Sequence, residues 1–183
     1  MSKHFAICAA FLFACAADPA GPGDGDGDGD GDGDGDGDGD GDTDASVAVV
    51  VPTDAGELFA YLSANEYIAF EAEPAIHPSA GPHGARVRSF FTPSLSESLR
   101  AGADSHPRGS AVVKELHDAS GLDGWAVMVK TGAGSTASDW YFYEVLSTTP
   151  GTTPVADGNG ASGCAGCHAA GRDYIRSDTP QVP

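Results

Sequence analysis

Five consecutive residues near the C-terminus of this 183-residue chain have the types and spacing needed for covalent cofactor chemistry: Cys164-Ala165-Gly166-Cys167-His168. Two thiols that are two residues apart can each form a thioether with one vinyl group of the same porphyrin. The imidazole that follows can then coordinate the iron as an axial ligand. This spacing is the attachment signature of a c-type haem. The motif therefore predicts one covalently attached haem c, held by Cys164 and Cys167, with His168 as the iron ligand.

The same five residues have two other interpretations. A Cys-x-x-Cys pair can perform thiol–disulfide exchange, but such a pair usually opens a helix after a strand of a βαβ unit. Here the pair follows a glycine-rich segment, 158–163, which we expect to be a loop. A structural zinc site needs four ligands, and the remaining cysteines, Cys8 and Cys15, lie far away at the N-terminus. The motif thus favours haem attachment.

Residues 1–15 have the composition of a lipoprotein-type signal peptide. A short polar start precedes the apolar run 5–14, which is shorter than the roughly 20 residues that span a bilayer but suits a secretory signal. The run ends in Leu12-Phe13-Ala14-Cys15, which is similar to a bacterial lipobox, so we expect cleavage before Cys15 and lipidation of that cysteine. The alternative is an ordinary signal peptide cleaved nearby. Both interpretations predict export, with the lipid anchor on the periplasmic side of a bacterial membrane or at the outer membrane.

Residues 16–45 have the composition of a linker. Gly-Asp pairs repeat from Gly23 to Asp42 and make this segment strongly acidic. Glycine has no side chain to bury and like charges repel, so we expect a disordered, solvated tether. The repeat also resembles the start of an EF-hand loop, but no frame supplies the glutamate at the twelfth position and no helices flank it.

The remaining residues, 46–183, are enough for one domain with one core. The whole chain carries 27 acidic and 9 basic residues, a net charge of −18; from residue 43 onward the counts are 16 and 8, a balance of −8. Nucleic acids and anionic membrane surfaces both require a basic patch. The charge therefore argues against nucleic acid as a partner and leaves the lipid anchor as the only expected membrane contact.

Hydrophobic periodicity predicts the secondary structure of the domain. A helical period behind the capping residue Asp54 predicts a helix over 54–65, and Pro93 in a first turn predicts another over 93–101. A two-residue alternation predicts strands over 86–92, 110–116, 124–130 and 139–145. Because turns join these strands, we predict an α+β fold, mainly an antiparallel β-sheet with a few short helices. Irregular structure is expected over 73–84, 148–163 and after residue 171.

Two cationic residues on the predicted strands are candidates for a pocket around the haem. Lys114 shares a strand face with Val112 and Leu116, an unusual position for lysine unless that face lines a pocket. The other interpretation is a lysine whose stem packs while its amine reaches water. Arg88 shares a face with Phe90 and is either a pocket residue or a solvated strand arginine.

The sixth coordination position of the iron is expected to be open or weakly held. No methionine follows His168, and the only methionine of the domain, Met128, lies in a predicted strand. An open position favours ligand binding or catalysis over electron transfer alone. Four other histidines are expected in loops or at the surface, and of these His83 is the one that could reach the haem edge or a propionate. They are His77, His83, His106 and His117.

Several segments resemble the cytochrome P-460 family in order and spacing. The Gly-Ser-x-x-x-Lys-Glu strand at 109–115 is the most specific; the others are 86–88, 125–130, 139–141 and the haem motif itself. The resemblance extends from about Glu57 to His168. It implies that residues 46–183 form a single mono-haem c domain of the cytochrome P-460 type, mostly antiparallel β and usually a homodimer.

The resemblance also implies roles for individual residues. In cytochrome P-460 a lysine is cross-linked to a haem meso carbon, and Lys114 matches its position; Arg88 best matches an arginine of the distal pocket. These enzymes oxidise hydroxylamine to nitrous oxide, and a small cytochrome c is a plausible kind of redox partner. A pocket carboxylate assists proton removal, for which Glu144 and Glu115 are both candidates.

Two other functions remain open at this point. Cytochrome c prime beta resembles the same family in fold, lacks the lysine cross-link and binds nitric oxide or carbon monoxide in a crowded apolar pocket. Phe90 and Phe91 could cap such a pocket or simply fill the core. A plain electron carrier tethered to the membrane is the third function. We expect an oxidoreductase acting on hydroxylamine or a related small nitrogen species, with the gas-binding protein and the carrier as alternatives.

Overall fold

The structure, a computed structural model, describes residues 50–177. They belong to one of the two units into which the chain divides, residues 45–183. The predicted signal peptide, the predicted linker and the last six residues lie outside the described range. Within that range, none of the helices is both long and apolar enough to cross a membrane.

Seven strands form one antiparallel sheet. The strands are β1 Glu71–Ala72, β2 His77–Pro78, β3 Arg86–Phe91, β4 Ala111–His117, β5 Leu122–Lys130, β6 Trp140–Val145 and β7 Ala156–Asn159. Strands β1 and β2 are short, and both pair with β3 at one edge of the sheet. From β3 the order continues β4-β5-β6-β7, with β7 at the other edge. The predicted α+β fold on an antiparallel sheet is confirmed.

Three short α-helices accompany the sheet: α1 Ala55–Ser63, α2 Pro93–Arg100 and α3 Ser162–His168. Helix α1 begins where the Asp54 carboxylate accepts hydrogen bonds from the amides of Gly56 and Glu57, at 3.0 and 3.1 Å. Helix α2 begins at Pro93, whose missing N–H costs nothing in a first turn. Both predicted helices are present, with slightly shorter bounds.

Each face of the sheet is buried, because alternate side chains enter two different clusters. The cluster under α1, here the α1 cluster, includes Leu58, Leu62, Tyr67, Phe90, Val113, Trp125, Val127 and Tyr143. The cluster on the other face, here the α3 cluster, is formed by Phe91, Leu95, Val112, Met128, Trp140, Phe142, Ala165 and Ile175.

Parts of all three segments that we predicted to be irregular are in fact structured. Within 73–84, the two residues of β2 pair with β3. Strand β7 pairs with β6 although it contains glycine and aspartate, which have low strand propensity. After α3, Arg172 and Ile175 pair in a β-bridge, and Ile175 is buried in the α3 cluster. The prediction was wrong here because pairing with distant residues outweighs the local preference of the sequence.

Candidate functional site

The Cys-x-x-Cys-His motif lies in helix α3, which begins at Ser162 shortly after β7, so the loop expected over 158–163 was wrong. The position of the pair after a loop is therefore no argument against thiol–disulfide exchange. Cys164 is one helical turn before Cys167 and His168, so the three side chains project from the same side of the helix. Neither thiol is in a disulfide. Cys164 is half-buried against the α3 cluster, and Cys167 is exposed. The motif therefore presents two thiols and one imidazole together.

The His168 ring is held in a single tautomer. Its Nδ1 lies 2.9 Å from the carbonyl oxygen of Tyr174. A carbonyl oxygen can only accept, so Nδ1 must carry the proton, and Nε2 keeps a free lone pair. Burial lowers the pKa of His168 and outweighs the opposing effect of this hydrogen bond, so the ring is neutral near pH 7. A neutral imidazole oriented through its other nitrogen is the form that binds metals.

A cavity of about 30 Å³ lies between α3 and the sheet, and its wall includes Cys164 and His168. It adjoins a cleft of about 370 Å³ whose wall includes Cys167. The cavity and the cleft share His83, Lys114 and His168. The two thiols thus border neighbouring parts of one concave region that has His168 in common.

The register of the sheet explains where the cavity lies. One cross-strand row on the α3 face is polar and consists of Ser89, Lys114, Ala126 and Glu144. The next row on that face is apolar and packs in the α3 cluster; it consists of Phe91, Val112, Met128 and Phe142. Helix α3 packs with the apolar row, and the small side chain of Ala126 leaves space between Lys114 and Glu144 in the polar row.

Lys114 lines the cavity and the cleft, in a largely buried position. Burial lowers the pKa of Lys114, and the carboxylates of Glu73 and Glu144 offset only part of this effect. A desolvated lysine amine is more often neutral than a surface amine and is therefore more nucleophilic.

His83 and Glu144 form a pair in the wall of the cavity. Nδ1 of His83 lies 3.0 Å from Oε1 of Glu144, and the two side chains are only 17% and 16% exposed. The ring centroids of His83 and His168 are 6.1 Å apart. The sequence could not indicate this pair, since its members are 61 positions apart.

Arg88 lies on the opposite face of the sheet from Lys114. Its Nε donates to the carbonyl oxygen of Glu73 at 2.9 Å, and its guanidinium carbon is 5.0 Å from the centroid of the Phe90 ring. Phe90 belongs to the α1 cluster. Arg88 lines neither the cavity nor the cleft, so the structure does not bring it together with the cysteines and His168.

Glu115 and Phe90 also face the α1 cluster. The Glu115 carboxylate accepts a hydrogen bond from the Tyr67 hydroxyl at 2.8 Å. Of the two carboxylates considered for proton removal, only Glu144 lines the cavity. Phe90 and Phe91 enter different clusters, so they do not form a joint cap over the cavity.

One histidine expected at the surface is buried. His106 is only 3% exposed, and its Nδ1 lies 2.8 Å from the Ser98 hydroxyl. Burial lowers the pKa of His106. His77, by contrast, is exposed as expected and pairs with Glu73 at 3.0 Å.

The segment after α3 is anchored to the sheet by a completely buried ion pair. The amine of Lys130, at the end of β5, donates to the two carboxylate oxygens of Asp173 at 2.8 and 2.6 Å. Asp173 also accepts hydrogen bonds from the His106 amide at 2.8 Å and the Trp140 indole at 3.3 Å. Burial alone would raise the pKa of Asp173, but these bonds outweigh it and hold the pKa below its usual value.

The fold and the site define an α+β protein whose Cys-Cys-His helix covers a cavity on one face of an antiparallel sheet. No protein-family model matches the chain, and no curated protein matches it. Among residues 50–177, no group of three or more His, Cys, Asp or Glu side chains is placed to hold a metal ion.

Proposed function

We propose that this chain is an exported c-type mono-haem protein of the cytochrome P-460 type, with an open distal site, that oxidises hydroxylamine or a related small nitrogen species. The observation that carries the proposal is the setting of His168. Its imidazole is neutral, its Nδ1 proton is engaged by the Tyr174 carbonyl, and two free thiols lie on the same helix.

The residues present fit a covalently attached haem. A large flat group lying across the cavity and the cleft would meet Cys164 in one and Cys167 in the other. The free Nε2 of His168 would be its axial ligand. The apolar side chains of Val112, Met128 and Phe142 line the cavity, and such a wall suits a mostly apolar cofactor.

Lys114 supports the narrower assignment to a lysine-modified haem. Its amine lines both parts of the region that the cofactor would occupy, and its pKa is lowered by burial. A neutral amine can form a covalent bond to carbon, whereas an ammonium group cannot. We propose that Lys114 is cross-linked to the haem edge, in a step that replaces a meso C–H bond by a C–N bond, releases two protons and passes two electrons to an added oxidant such as peroxide. For Arg88, on the other face, we propose no contact with the substrate.

Glu144 is the residue that we propose for proton removal. Its carboxylate lines the cavity, and His83 lies at hydrogen-bonding distance and fixes its orientation. When bound, the haem would supply an iron centre for redox chemistry on the nitrogen species, and a redox partner such as a small cytochrome c would be the electron acceptor. We further propose a lipid-anchored homodimer on the periplasmic side of the membrane or at the outer membrane.

One observation favours the gas-binding alternative. The apolar row of Val112, Met128 and Phe142 forms one wall of the cavity, and a protein that binds nitric oxide or carbon monoxide without turnover needs such a wall.

The electron-carrier alternative requires a sixth ligand on the iron. The candidate for this ligand is His83, because its ring centroid lies 6.1 Å from the ring centroid of His168.

An absorption spectrum of the protein, produced in a host that exports it and attaches haem c, tests the proposal. A ferrous Soret band shifted far to the red is expected for the lysine cross-link, and Lys114→Ala should lose that shift while keeping covalent haem. A normal high-spin spectrum would favour the gas binder, and a low-spin spectrum would favour the carrier. Colourless protein, or haem that is removed by denaturation, would contradict haem attachment itself.

A further inference from the structure

We infer that the buried Lys130–Asp173 pair is a positioning device for His168, because it fixes the backbone carbonyl that holds the imidazole. The spectroscopic consequences of this inference rest on the proposed haem, whereas the link between the ion pair and the ring does not. Lys130 and Asp173 are therefore positioning residues, and neither lines the cavity or the cleft.

The turn that carries the Tyr174 carbonyl has an uncommon backbone conformation. Asp173 and Tyr174 both have positive φ, at 43° and 68°, which is unusual for residues with side chains and above all for one as large as tyrosine. Such residues persist where the surrounding structure over-determines them. The turn is therefore held by its contacts rather than by its own preference.

The contacts that hold the turn converge on Asp173. Its carboxylate accepts from Lys130, from the His106 amide and from the Trp140 indole. Arg172 and Ile175, the residues that flank Asp173 and Tyr174, pair in a β-bridge that closes the turn.

Gly171 permits this tight closure. A Cβ added at that position would collide with the carbonyl group of Ile175. Because Gly171 has no Cβ, the chain can fold back toward α3 at this residue. The Tyr174 carbonyl oxygen then lies 2.9 Å from Nδ1 of His168.

Stability alone explains the ion pair poorly. A buried ion pair is often no more stabilising than apolar side chains of the same volume, and Lys130 lies at the edge of the α3 cluster beside Trp140. What the pair provides, and an apolar pair would not, is a fixed position for the turn of Asp173 and Tyr174, and with it a fixed direction for the Tyr174 carbonyl. A metal-bound imidazole whose N–H is held by an acceptor is oriented and made more basic, so loss of the pair should alter both properties.

Two measurements on the full chain test the inference. The first is the ¹⁵N chemical shift of His168 Nδ1 in the full chain produced without haem attachment, where no iron occupies Nε2 and the shift reports the tautomer. The wild-type protein should show a protonated Nδ1, and Asp173→Asn should show a mixture of tautomers. The second is made on the haem-loaded protein, in which Asp173→Asn should lower and broaden the iron–histidine stretching band and raise the reduction potential.

A matched control separates positioning from stability. Val113→Ala removes buried volume from the α1 cluster on the opposite face, so it should lower the melting temperature without moving the tautomer, the band or the potential. If Asp173→Asn fails to fold, the double variant Lys130→Met/Asp173→Leu removes both charges together and should give the same shifts.

The inference is overturned if the Asp173 variants lower the melting temperature as Val113→Ala does and leave the His168 tautomer unchanged. Colourless wild-type protein would instead contradict the proposed function. The tautomer measurement would still decide the positioning role in that case, so the two failures can be told apart.

Discussion

Glu144 and Glu115 have the same side chain but lie on opposite faces of one sheet, and this separates their chemistry. Glu144 lines the cavity beside His83, whereas Glu115 is engaged by the Tyr67 hydroxyl among the aromatic residues of the α1 cluster. Of these two carboxylates, Glu144 is therefore the one placed to take protons from the proposed substrate in the cavity.

We predict that Glu144→Gln lowers the turnover of hydroxylamine by about 10²–10⁴-fold, the usual contribution of a general base. Covalent haem content should stay the same, because the cysteines are untouched. Glu115→Gln is the matched control and should leave turnover unchanged. Steady-state kinetics on both variants check the prediction, and an equal loss in the two would remove Glu144 from its proposed role.

Tyr61 provides a test of burial at the scale of one side chain. Its hydroxyl is buried and has no hydrogen-bonding partner within residues 50–177. Burial, with a smaller contribution from the charge of Glu66, raises the pKa of Tyr61 from 10.0 to about 12. The folded protein thus keeps a proton that the unfolded chain loses near pH 10, so stability should fall as the pH rises from 10 to 12.

The variant Tyr61→Phe should remove the contribution of Tyr61 to this alkaline loss of stability. Tyr67, Tyr141 and Tyr143, whose pKa values burial also raises, keep their contributions. At pH 7 the variant should also be more stable than the wild type by about 1 kcal/mol, since a buried hydroxyl without a partner carries a desolvation cost. Urea unfolding at pH 7 and pH 11 measures both effects. A variant that is less stable at pH 7 would show that the hydroxyl has a partner.

At the scale of elements, the polar row across β3 to β6 makes the cavity. Ala126 stands between Lys114 and Glu144 in this row, and its methyl group is small enough to leave the space open. A larger side chain at this position would occupy the cavity without touching the cysteines.

We therefore predict that Ala126→Leu keeps the haem thioethers but loses the red-shifted chromophore and most ligand binding. Overpacking of this kind costs typically about 1–3 kcal/mol, so the domain should remain folded. Binding titrations with nitric oxide and the ferrous spectrum measure the effect. Ala60→Leu, on the exposed side of α1, is the control, and unchanged binding in Ala126→Leu would place the ligand elsewhere.

The sequence predicted the elements whose pattern is local and missed those that depend on distant partners. Alternation of side chains located β3 to β6, and the caps at Asp54 and Pro93 located two helices. Strand β7 and the bridge of Arg172 with Ile175 have no such pattern, because pairing with β6 and burial in the α3 cluster stabilise them.

The sequence likewise revealed only those parts of the candidate site that are contiguous in the chain. The motif of Cys164, Cys167 and His168 is contiguous, so the sequence reveals it directly. The Tyr174 carbonyl belongs to the backbone and leaves no side-chain signal, and the pairing of His83 with Glu144 requires the fold. Alternation shows that Arg88 shares a face with Phe90, but only the register, with Ser89 opposite Lys114, shows that this face is turned away from the cavity.

At the scale of the whole molecule, export and cofactor chemistry depend on each other. Bacteria attach haem c outside the cytoplasm, so a domain with this motif requires an export signal such as the one that residues 1–15 are predicted to form.

The proposed lipid anchor and the proposed haem can be tested separately, because Cys15 and the motif of Cys164, Cys167 and His168 lie far apart in the sequence. We predict that Cys15→Ala moves the protein from the detergent phase to the aqueous phase, since the acyl chains would be lost with the cysteine. Cleavage by an ordinary signal peptidase, or retention of the uncleaved leader, should still allow export, so the haem content per chain should not change. Phase partitioning of membrane extracts, followed by haem staining of denatured protein, measures both. Wild-type protein that already partitions into the aqueous phase would support the ordinary signal peptide instead, and loss of haem in the variant would show that lipidation and haem attachment are coupled.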